Sequence, residues 1–231
     1  MAVCYTTWTV NKHKPIEKLA PNLWRVAGIM ENGTRRIMSV IRLADGRVLM
    51  HNAIALDEAE MAEIDGWGEV SGILVPNAFH RMDSRIMHQR YPKAKVYCPG
   101  NAVKAVGKAT EVAGSYADTP GDATVKVRHL AGLKENEGVV EVQTDAGPVF
   151  VFNDMIMNMP KMGYPMELFI GPSGQASVPR FARWVWVKDK VALRKDLDGL
   201  AAMGPVRVIP GHGADIVEDV GRKFREAIGL V

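Results

Sequence analysis

One histidine, placed directly after a short apolar run, has the setting in this sequence that best suits metal or acid–base chemistry. His212 lies in Pro210-Gly211-His212-Gly213, which follows the β-branched run Val206-Arg207-Val208-Ile209. Such a run favours a buried strand, and the Pro-Gly pair ends it. A histidine at the end of a buried strand is held rigidly with its imidazole directed into a cleft, as a metal ligand or a general acid/base requires. The alternative is a histidine that caps or packs a tight turn.

The elements that must position His212 follow from hydrophobic periodicity and turn signals. Residues 23–27, 36–41 and 47–50 are predicted strands, and Asp45-Gly46 forms a hairpin turn between the last two. Helices are predicted at 57–66, 83–91, 101–109, 188–203 and 215–228. Further strands are predicted at 70–75, 94–98, 124–127, 139–143 and 149–152. Antiparallel strands followed by helix–strand units, twice over, predict two packed sheets with helices outside.

Composition limits the class of protein. The 231 residues are 47% hydrophobic and 24% charged, as in an ordinary globular protein. No apolar run reaches the roughly 18 residues of a membrane span, and the N-terminus lacks the pattern of a signal peptide. With two cysteines, Cys4 and Cys98, a disulfide framework is not expected, so the predicted location is the cytoplasm. The net charge of +3 comes from alternating basic and acidic residues, so neither nucleic-acid nor membrane binding is expected.

Four local motifs and the order of elements resemble the metallo-β-lactamase superfamily, from about residue 19 to residue 228. The segments that carry the resemblance are Asn22-Leu23-Trp24-Arg25-Val26, Asp45-Gly46-Arg47-Val48-Leu49-Met50-His51-Asn52, Ile73-Leu74-Val75 and Tyr91-Pro92-Lys93-Ala94-Lys95-Val96-Tyr97. The resemblance implies an α/β (α+β) fold, the four-layer αββα sandwich of the metallo-β-lactamase type. It also implies a metal site at strand ends along one edge of the sandwich. We expect a single domain, 1–231, with an N-terminal arm at 1–18 and an apolar loop insertion at 155–186.

Three late positions resemble the family's metal ligands in order and spacing. His129-Leu130-Ala131-Gly132 is similar to the motif of the third histidine ligand, and Asp154, 25 residues later, resembles the bridging aspartate. Val208-Ile209-Pro210-Gly211-His212-Gly213 resembles the final histidine motif. The resemblance therefore implies that His129, Asp154 and His212 lie at neighbouring strand ends, with their polar atoms within roughly 5 Å of one another.

The family's first motif, His-x-His-x-Asp-His, is broken in this sequence. Residues 76–83 read Pro76-Asn77-Ala78-Phe79-His80-Arg81-Met82-Asp83, so the four ligand positions become Asn77, Phe79, Arg81 and Met82. None of these is a good ligand for a divalent metal. His80 lies one residue out of register. The altered motif resembles a divergent branch of the superfamily and predicts at most one metal.

Two interpretations of the cluster remain open. In one, His80 turns inward and joins His129, Asp154 and His212 around one divalent metal, with zinc preferred to iron or manganese. Asp83, or Asp154 if it is not a ligand, would then accept the proton of a water. In the other, the site has decayed and holds no metal. If His80 points into the cleft, Arg81 should point outward. If Arg81 points inward instead, it should pair with Asp154.

The predicted function is that of a metal-dependent hydrolase acting on a small molecule, with the oligomeric state left open. Five methionines follow Asp154 at positions 155, 157, 159, 162 and 166, and such a loop can line an apolar pocket or pack as a lid. A pocket of that kind predicts an ester, lactone or amide substrate with an apolar part. The alternatives are a non-catalytic binding or scaffold protein on the same fold, and a mononuclear iron oxidoreductase.

Overall fold

The computed structural model of the protein describes residues 4–30, 33–229 and 231. Its strands are β1 (Glu17–Ala20), β2 (Leu23–Ile29), β3 (Arg35–Arg42), β4 (Val48–His51), β5 (Val70–Leu74), β6 (Lys95–Cys98), β7 (Gly114–Ser115), β8 (Val125–His129), β9 (Gly138–Thr144), β10 (Gly147–Val151), β11 (Met157–Asn158), β12 (Arg207–Ile209) and β13 (His212–Gly213). Its α-helices are α1 (Glu58–Trp67), α2 (Ser84–Arg90), α3 (Val103–Val106), α4 (Met166–Phe169), α5 (Lys190–Ala202) and α6 (Val220–Ile228).

The strands form two main sheets. The first has the order β1-β2-β3-β4-β5-β6-β7, antiparallel from β1 to β4 and parallel from β4 to β7. The second has the order β12-β10-β9-β8, and β11 and β13 form a short parallel pair of their own. Because β4, β5 and β6 are parallel, their carboxyl ends meet at one edge of the first sheet.

Three hydrophobic layers hold the sheets and helices together. The first sheet packs on α1 and α2 through an outer core that includes Met61, Ile64 and Met87. The two sheets pack face to face through a middle core of valines, leucines and isoleucines. Phe150 and Phe152 of the second sheet's outer side pack with Leu197 of α5 and Phe224 of α6. The result is the predicted four-layer αββα sandwich.

Side-chain alternation within one strand accounts for this layering. In β3, Met38 and Val40 lie in the core beneath the helices, whereas Ile37 and Ile41 lie in the core between the sheets. Successive side chains of a strand point to opposite faces, so an almost continuously apolar strand can serve two cores at once. All four of these side chains are buried.

Two predicted segments differ from the structure in their extent. The predicted N-terminal arm, of which residues 1–3 lie outside the described part, packs against the first sheet: the Lys14 amide donates to Ala27 O at 2.9 Å, and β1 begins at Glu17. The last helix begins at Val220 and not at Asp215. Asp215 cannot cap a helix because its buried carboxylate accepts hydrogen bonds from Arg25 and Arg207.

The segment 155–186 contains short regular elements in addition to loops. It includes β11, α4 and a π-helical turn at Ala182–Trp186, and Met155 and Ile156 at its start are fully buried. Within the described residues, no helix combines the length and the apolar character needed to cross a membrane.

Candidate metal centre

The candidate site lies where loops from both sheets meet. The loop after β5 carries His80, the loop after β10 carries Asp154, and β13, which follows the Pro210-Gly211 turn, carries His212. Gly211 joins the two sheets at this point, since its carbonyl accepts from the Ile37 amide at 3.0 Å and its amide donates to Asn153 O at 3.1 Å. A Cβ on Gly211 would collide with Asn153, so the Pro-Gly-His turn requires glycine there.

Three side chains converge at this junction. Nε2 of His80 lies 3.2 Å from Oδ2 of Asp154, and Nε2 of His212 lies 3.3 Å from Oδ1 of the same carboxylate. The two Nε2 atoms are 3.3 Å apart. Ligand atoms at 2.0–2.1 Å from one zinc ion in tetrahedral directions are separated by about 3.3 Å. The two Nε2 atoms have this spacing, and one ligand atom from each of the three residues lies within 4.8 Å of the others.

The hydrogen bonds on the far side of each imidazole fix which ring nitrogen faces the centre. Nδ1 of His80 lies 3.1 Å from Oδ1 of Asn52, an oxygen that also accepts from Nε of Arg36 at 3.1 Å. Nδ1 of His212 lies 2.8 Å from the carbonyl oxygen of Arg35. Because both partners are acceptors, both Nδ1 atoms carry a proton, and the Nε2 atoms of the two rings face each other and Asp154. Such partners are typical of metal-binding histidines.

Two side chains hold Asp154 in place, one through the backbone around it and one through its carboxylate. The fully buried carboxylate of Glu137 accepts the amides of Asn153, Asp154 and Met155 at 2.9, 2.8 and 2.8 Å. Nδ2 of Asn77 donates to Oδ2 of Asp154 at 2.8 Å. Oδ1 of Asp154 is buried and has no hydrogen-bond donor among the described residues. A cation at the centre would satisfy this oxygen together with the two lone pairs.

The charges of the cluster favour a cation. Burial alone would raise the pKa of Asp154, but His80 and His212 hold it far below its usual range. Burial also opposes a charge on His212, yet the Asp154 carboxylate raises the pKa of that imidazole. For His80, burial outweighs the attraction of Asp154 and lowers its pKa. The carboxylate is thus ionised and attracts positive charge to the two Nε2 positions, and a bound cation would supply that charge in place of protons.

His129 does not join this cluster, contrary to the prediction. It ends β8, and β9 lies between β8 and β10, so it starts about two strand spacings, or roughly 10 Å, from the β10 end that carries Asp154. It shares the face of Val125 and Val127, and its ring packs on Tyr116 with 6.0 Å between ring centroids. The two histidines that do converge with Asp154 are His80 and His212.

Asp83 has a structural setting in place of the predicted catalytic one. Its carboxylate pairs with Arg36 at 2.6 Å and accepts the Ala55 amide at 3.1 Å. The residue is only 1% exposed, so both oxygens are engaged and away from solvent. This ion pair fixes the Arg36 guanidinium, which in turn donates to Asn52 behind His80. The predicted role of Asp83 as proton acceptor is therefore wrong.

The broken first motif places its side chains on opposite sides. His80 points into the centre, whereas Phe79 is 63% exposed. Arg81 donates to Ala78 O at 2.8 Å, and Asn77 takes the place beside Asp154 that an inward arginine would have occupied. The alternative in which Arg81 pairs with Asp154 is therefore wrong.

Asn52, Asn77 and Glu137 were missed as site residues by sequence reasoning. Asn52 has a positive φ of 54°, and its Nδ2 donates to Ile37 O at 2.9 Å. An asparagine at a strand end is a recognisable candidate for such a conformation, and that was the one available signal. Glu137 precedes β9 in a run of charged and polar residues and is indistinguishable from a solvated loop carboxylate.

A large cleft opens beside His212. It has a volume of about 1150 Å³, and its lining includes the methionines 30, 157, 159, 162 and 166 together with Tyr164 and Ile170. β11 pairs with β13 so that Met157 lies opposite His212, which brings the methionine-rich segment to the candidate metal ligands. A smaller cleft of about 330 Å³ adjoins it and shares Arg35 and Gly213 with it.

Solved structures of the same architecture cover nearly the whole chain. The DIM-1 metallo-β-lactamase matches with a TM-score of 0.66 and 13% identity, over 96% of this chain and 99% of that chain. A metallo-β-lactamase from Pontibacter korlensis matches with a TM-score of 0.62 and 10% identity, over 95% and 100%. One from Hirschia baltica matches with a TM-score of 0.55 and 13% identity, over 93% and 98%. No protein-family model and no curated protein sequence matches.

Proposed function

We propose that this chain, which has the metallo-β-lactamase fold, is a hydrolase that binds one divalent metal ion through His80, Asp154 and His212. The observation that carries the proposal is the convergence of two Nε2 lone pairs on an ionised carboxylate, with spacings of 3.2–3.3 Å. Without a cation, two lone pairs and a negative charge would face one another in a buried site, which is costly. Zinc suits this donor set.

Each protein group has a distinct part in such a site. A bound divalent ion would polarise the substrate's carbonyl and acidify a water. His80 and His212 would hold the ion, with Asn52 and the Arg35 carbonyl fixing their ring orientation. Asn77 orients Asp154 through its hydrogen bond to Oδ2. Since Asp154 is the only carboxylate of the cluster, its oxygen that does not bind the ion is the group that can accept a proton.

The cleft beside His212 supports a substrate with an apolar part. Thioether side chains are flexible and polarisable, so a wall of methionines adapts to apolar groups of irregular shape. The volume of about 1150 Å³ is at the upper end for small-molecule sites. We propose an ester, lactone or amide whose apolar part occupies this cleft and whose carbonyl reaches the metal centre.

A second candidate function follows from the donor set itself. Two histidines and one carboxylate are also the ligands of mononuclear non-haem iron sites. An iron-dependent oxidoreductase is therefore the alternative to hydrolysis. A binding protein with a metal-free site is the third possibility, in which a proton shared within the cluster takes the place of the metal.

Hydrolysis of 4-nitrophenyl octanoate by the full chain tests the proposal. We expect the zinc-loaded protein to release nitrophenolate, a chelator to abolish the activity and added zinc to restore it. Asp154→Asn should remain inactive after zinc addition, whereas His13→Ala, remote from the centre, should behave as the parent. Activity that survives both the chelator and Asp154→Asn would refute a metal-dependent hydrolase at this site.

A further inference from the structure

Two neighbouring arginines at the start of β3 have opposite environments. Arg36 points inward, where it is buried and bound by Asp83, Asn52 and the Ala53 carbonyl. Arg35 is exposed on the opposite side of the strand and lines both clefts beside the metal centre. Side chains alternate along a strand, so Arg36 on the helix-covered face leaves Arg35 on the face toward the second sheet, where it is exposed at the start of the strand.

Arg35 stands out among the residues that line the main cleft. It is the only described lining residue with a permanently charged side chain, and the described lining contains no aspartate or glutamate. No ion pair or hydrogen bond joins the Arg35 guanidinium to another described residue. By contrast, Arg25 in the adjoining cleft is paired with Glu17 and Asp215. Among the described residues, none competes with a ligand for the guanidinium at position 35.

The backbone of Arg35 connects this cation to the metal centre. Its carbonyl oxygen accepts the Nδ1 proton of His212, so the residue that carries the guanidinium is in direct contact with a proposed metal ligand. A guanidinium binds carboxylate and phosphate groups with two parallel hydrogen bonds. The methionine wall supplies the apolar contacts over the rest of the cleft.

We propose that the ligand of this cleft is an anionic amphiphile, with an apolar body against the methionines and a carboxylate or phosphate on Arg35. This substrate class rests on the proposed function, because it assumes that the cleft serves the metal centre. It narrows the ester, lactone or amide substrates to those that carry a negative charge near the reacting bond.

Binding without turnover separates this inference from hydrolysis. Isothermal calorimetry on the full chain would compare decanoate, decyl phosphate and neutral decanol, each against zinc-loaded and chelator-treated protein. We expect either anion to bind about tenfold more tightly than decanol, because a charge-assisted hydrogen bond replaces solvent at the cleft. The difference between decanoate and decyl phosphate tells which anion the site prefers.

Variants at position 35 assign the preference to one side chain. Arg35→Gln should lose the preference for anions and keep its affinity for decanol, whereas Arg35→Lys should keep part of the preference. Lys126→Gln, which removes an exposed charge from β8, is the matched control and should change nothing. The metal content of Arg35→Gln should equal that of the parent, since the contact to His212 uses the backbone.

Three results would overturn the inference. An anion preference that persists in Arg35→Gln would place the anion elsewhere. A preference seen only in the zinc-loaded protein would assign the anion to the metal. Absence of binding by all three compounds would show that the cleft is not a site for amphiphiles. Hydrolytic activity is scored separately, so an inactive protein that still prefers anions through Arg35 would refute only the catalytic proposal.

Discussion

Two groups of side chains in the described part of this chain have the residue types and proximity of a metal site, but they differ in burial and in the hydrogen bonds that support them. The cluster of His80, Asp154 and His212 is largely buried, and the cluster of His13, Asp57 and Glu60 is partly exposed. In the second, Nε2 of His13 is 3.4 Å from Glu60 and 3.8 Å from Asp57, whose side chain is 73% exposed. An exposed carboxylate has water as an alternative partner, so it does not need a cation.

The two clusters differ mainly in the hydrogen bonds that support their candidate ligands. His80 is hydrogen-bonded to Asn52, and Asn52 is hydrogen-bonded to Arg36, which pairs with Asp83. The backbone amide of Asp154 is hydrogen-bonded to the Glu137 carboxylate. No comparable hydrogen-bond network among the described residues supports Asp57 or Glu60. Supporting hydrogen bonds orient ligands and raise metal affinity, so proximity alone is a weak indicator of a metal site.

The largest expected effect is the loss of metal from His212→Ala. Removing a ligand should weaken zinc binding by more than the 10–100-fold that is typical of removing a supporting residue. Titration of the chelator-treated protein with zinc measures this. His129→Ala is the matched control, because His129 packs on Tyr116 outside the cluster and should bind zinc as the parent does. Equal losses in the two variants would contradict the assignment of ligands.

Asp83→Asn should act on stability, because Asp83 supports Arg36. Leaving that buried guanidinium without its ionic partner should lower the free energy of unfolding by about 3–5 kcal/mol, measured by urea denaturation. The turnover number per bound metal should change little in the fraction that remains folded. Were Asp83 the proton acceptor after all, turnover would fall by orders of magnitude with stability nearly intact.

Glu137→Gln should weaken metal binding although Glu137 is not itself a proposed ligand. Its side chain contacts Asp154 only through the backbone amide of that residue. The glutamine amide keeps one acceptor oxygen but places an NH2 donor against at least one of the backbone amides of Asn153, Asp154 and Met155. We expect zinc affinity to fall about 10–100-fold. Glu141→Gln, in β9 itself and in a partly exposed ion pair with Arg128, serves as the comparison and should leave zinc affinity unchanged.

The smallest expected effect belongs to the second cluster. His13→Ala should leave the zinc stoichiometry unchanged and alter the free energy of unfolding by about 1 kcal/mol or less, as for a surface ion pair. Zinc titration and urea denaturation of this variant measure the two quantities. A drop in stoichiometry would mean that the exposed cluster binds zinc, and the contrast between the two clusters would fail.

The sequence allowed prediction of the parts of the site that depend on strand ends. Asp154 and His212 come within three residues of the ends of apolar strands, so local pattern and resemblance predicted that their side chains lie close together, as they do. His80 was a candidate although it lies out of register, since it is the one imidazole in the altered loop. The predicted proximity of His129 to Asp154 was wrong because a sequence motif does not show that β9 lies between β8 and β10.

The supporting residues could not be predicted because their partners lie far away in sequence. Arg36 and Asp83 are 47 residues apart, and Asn52 and His80 are 28 residues apart. Each looks locally like an ordinary strand-end or loop residue, and only the packing of two sheets brings them together. Fold layers follow from periodicity, whereas polar networks depend on tertiary contacts that periodicity does not encode.

The metal content of the freshly purified chain decides whether His80, Asp154 and His212 form a metal site. We expect one divalent ion per chain by elemental analysis, retained on dialysis and absent from Asp154→Asn. Zinc would favour the hydrolase and iron the oxidoreductase. A chain that holds no metal after purification and binds none on titration with zinc or iron would show that the cluster is not a metal site.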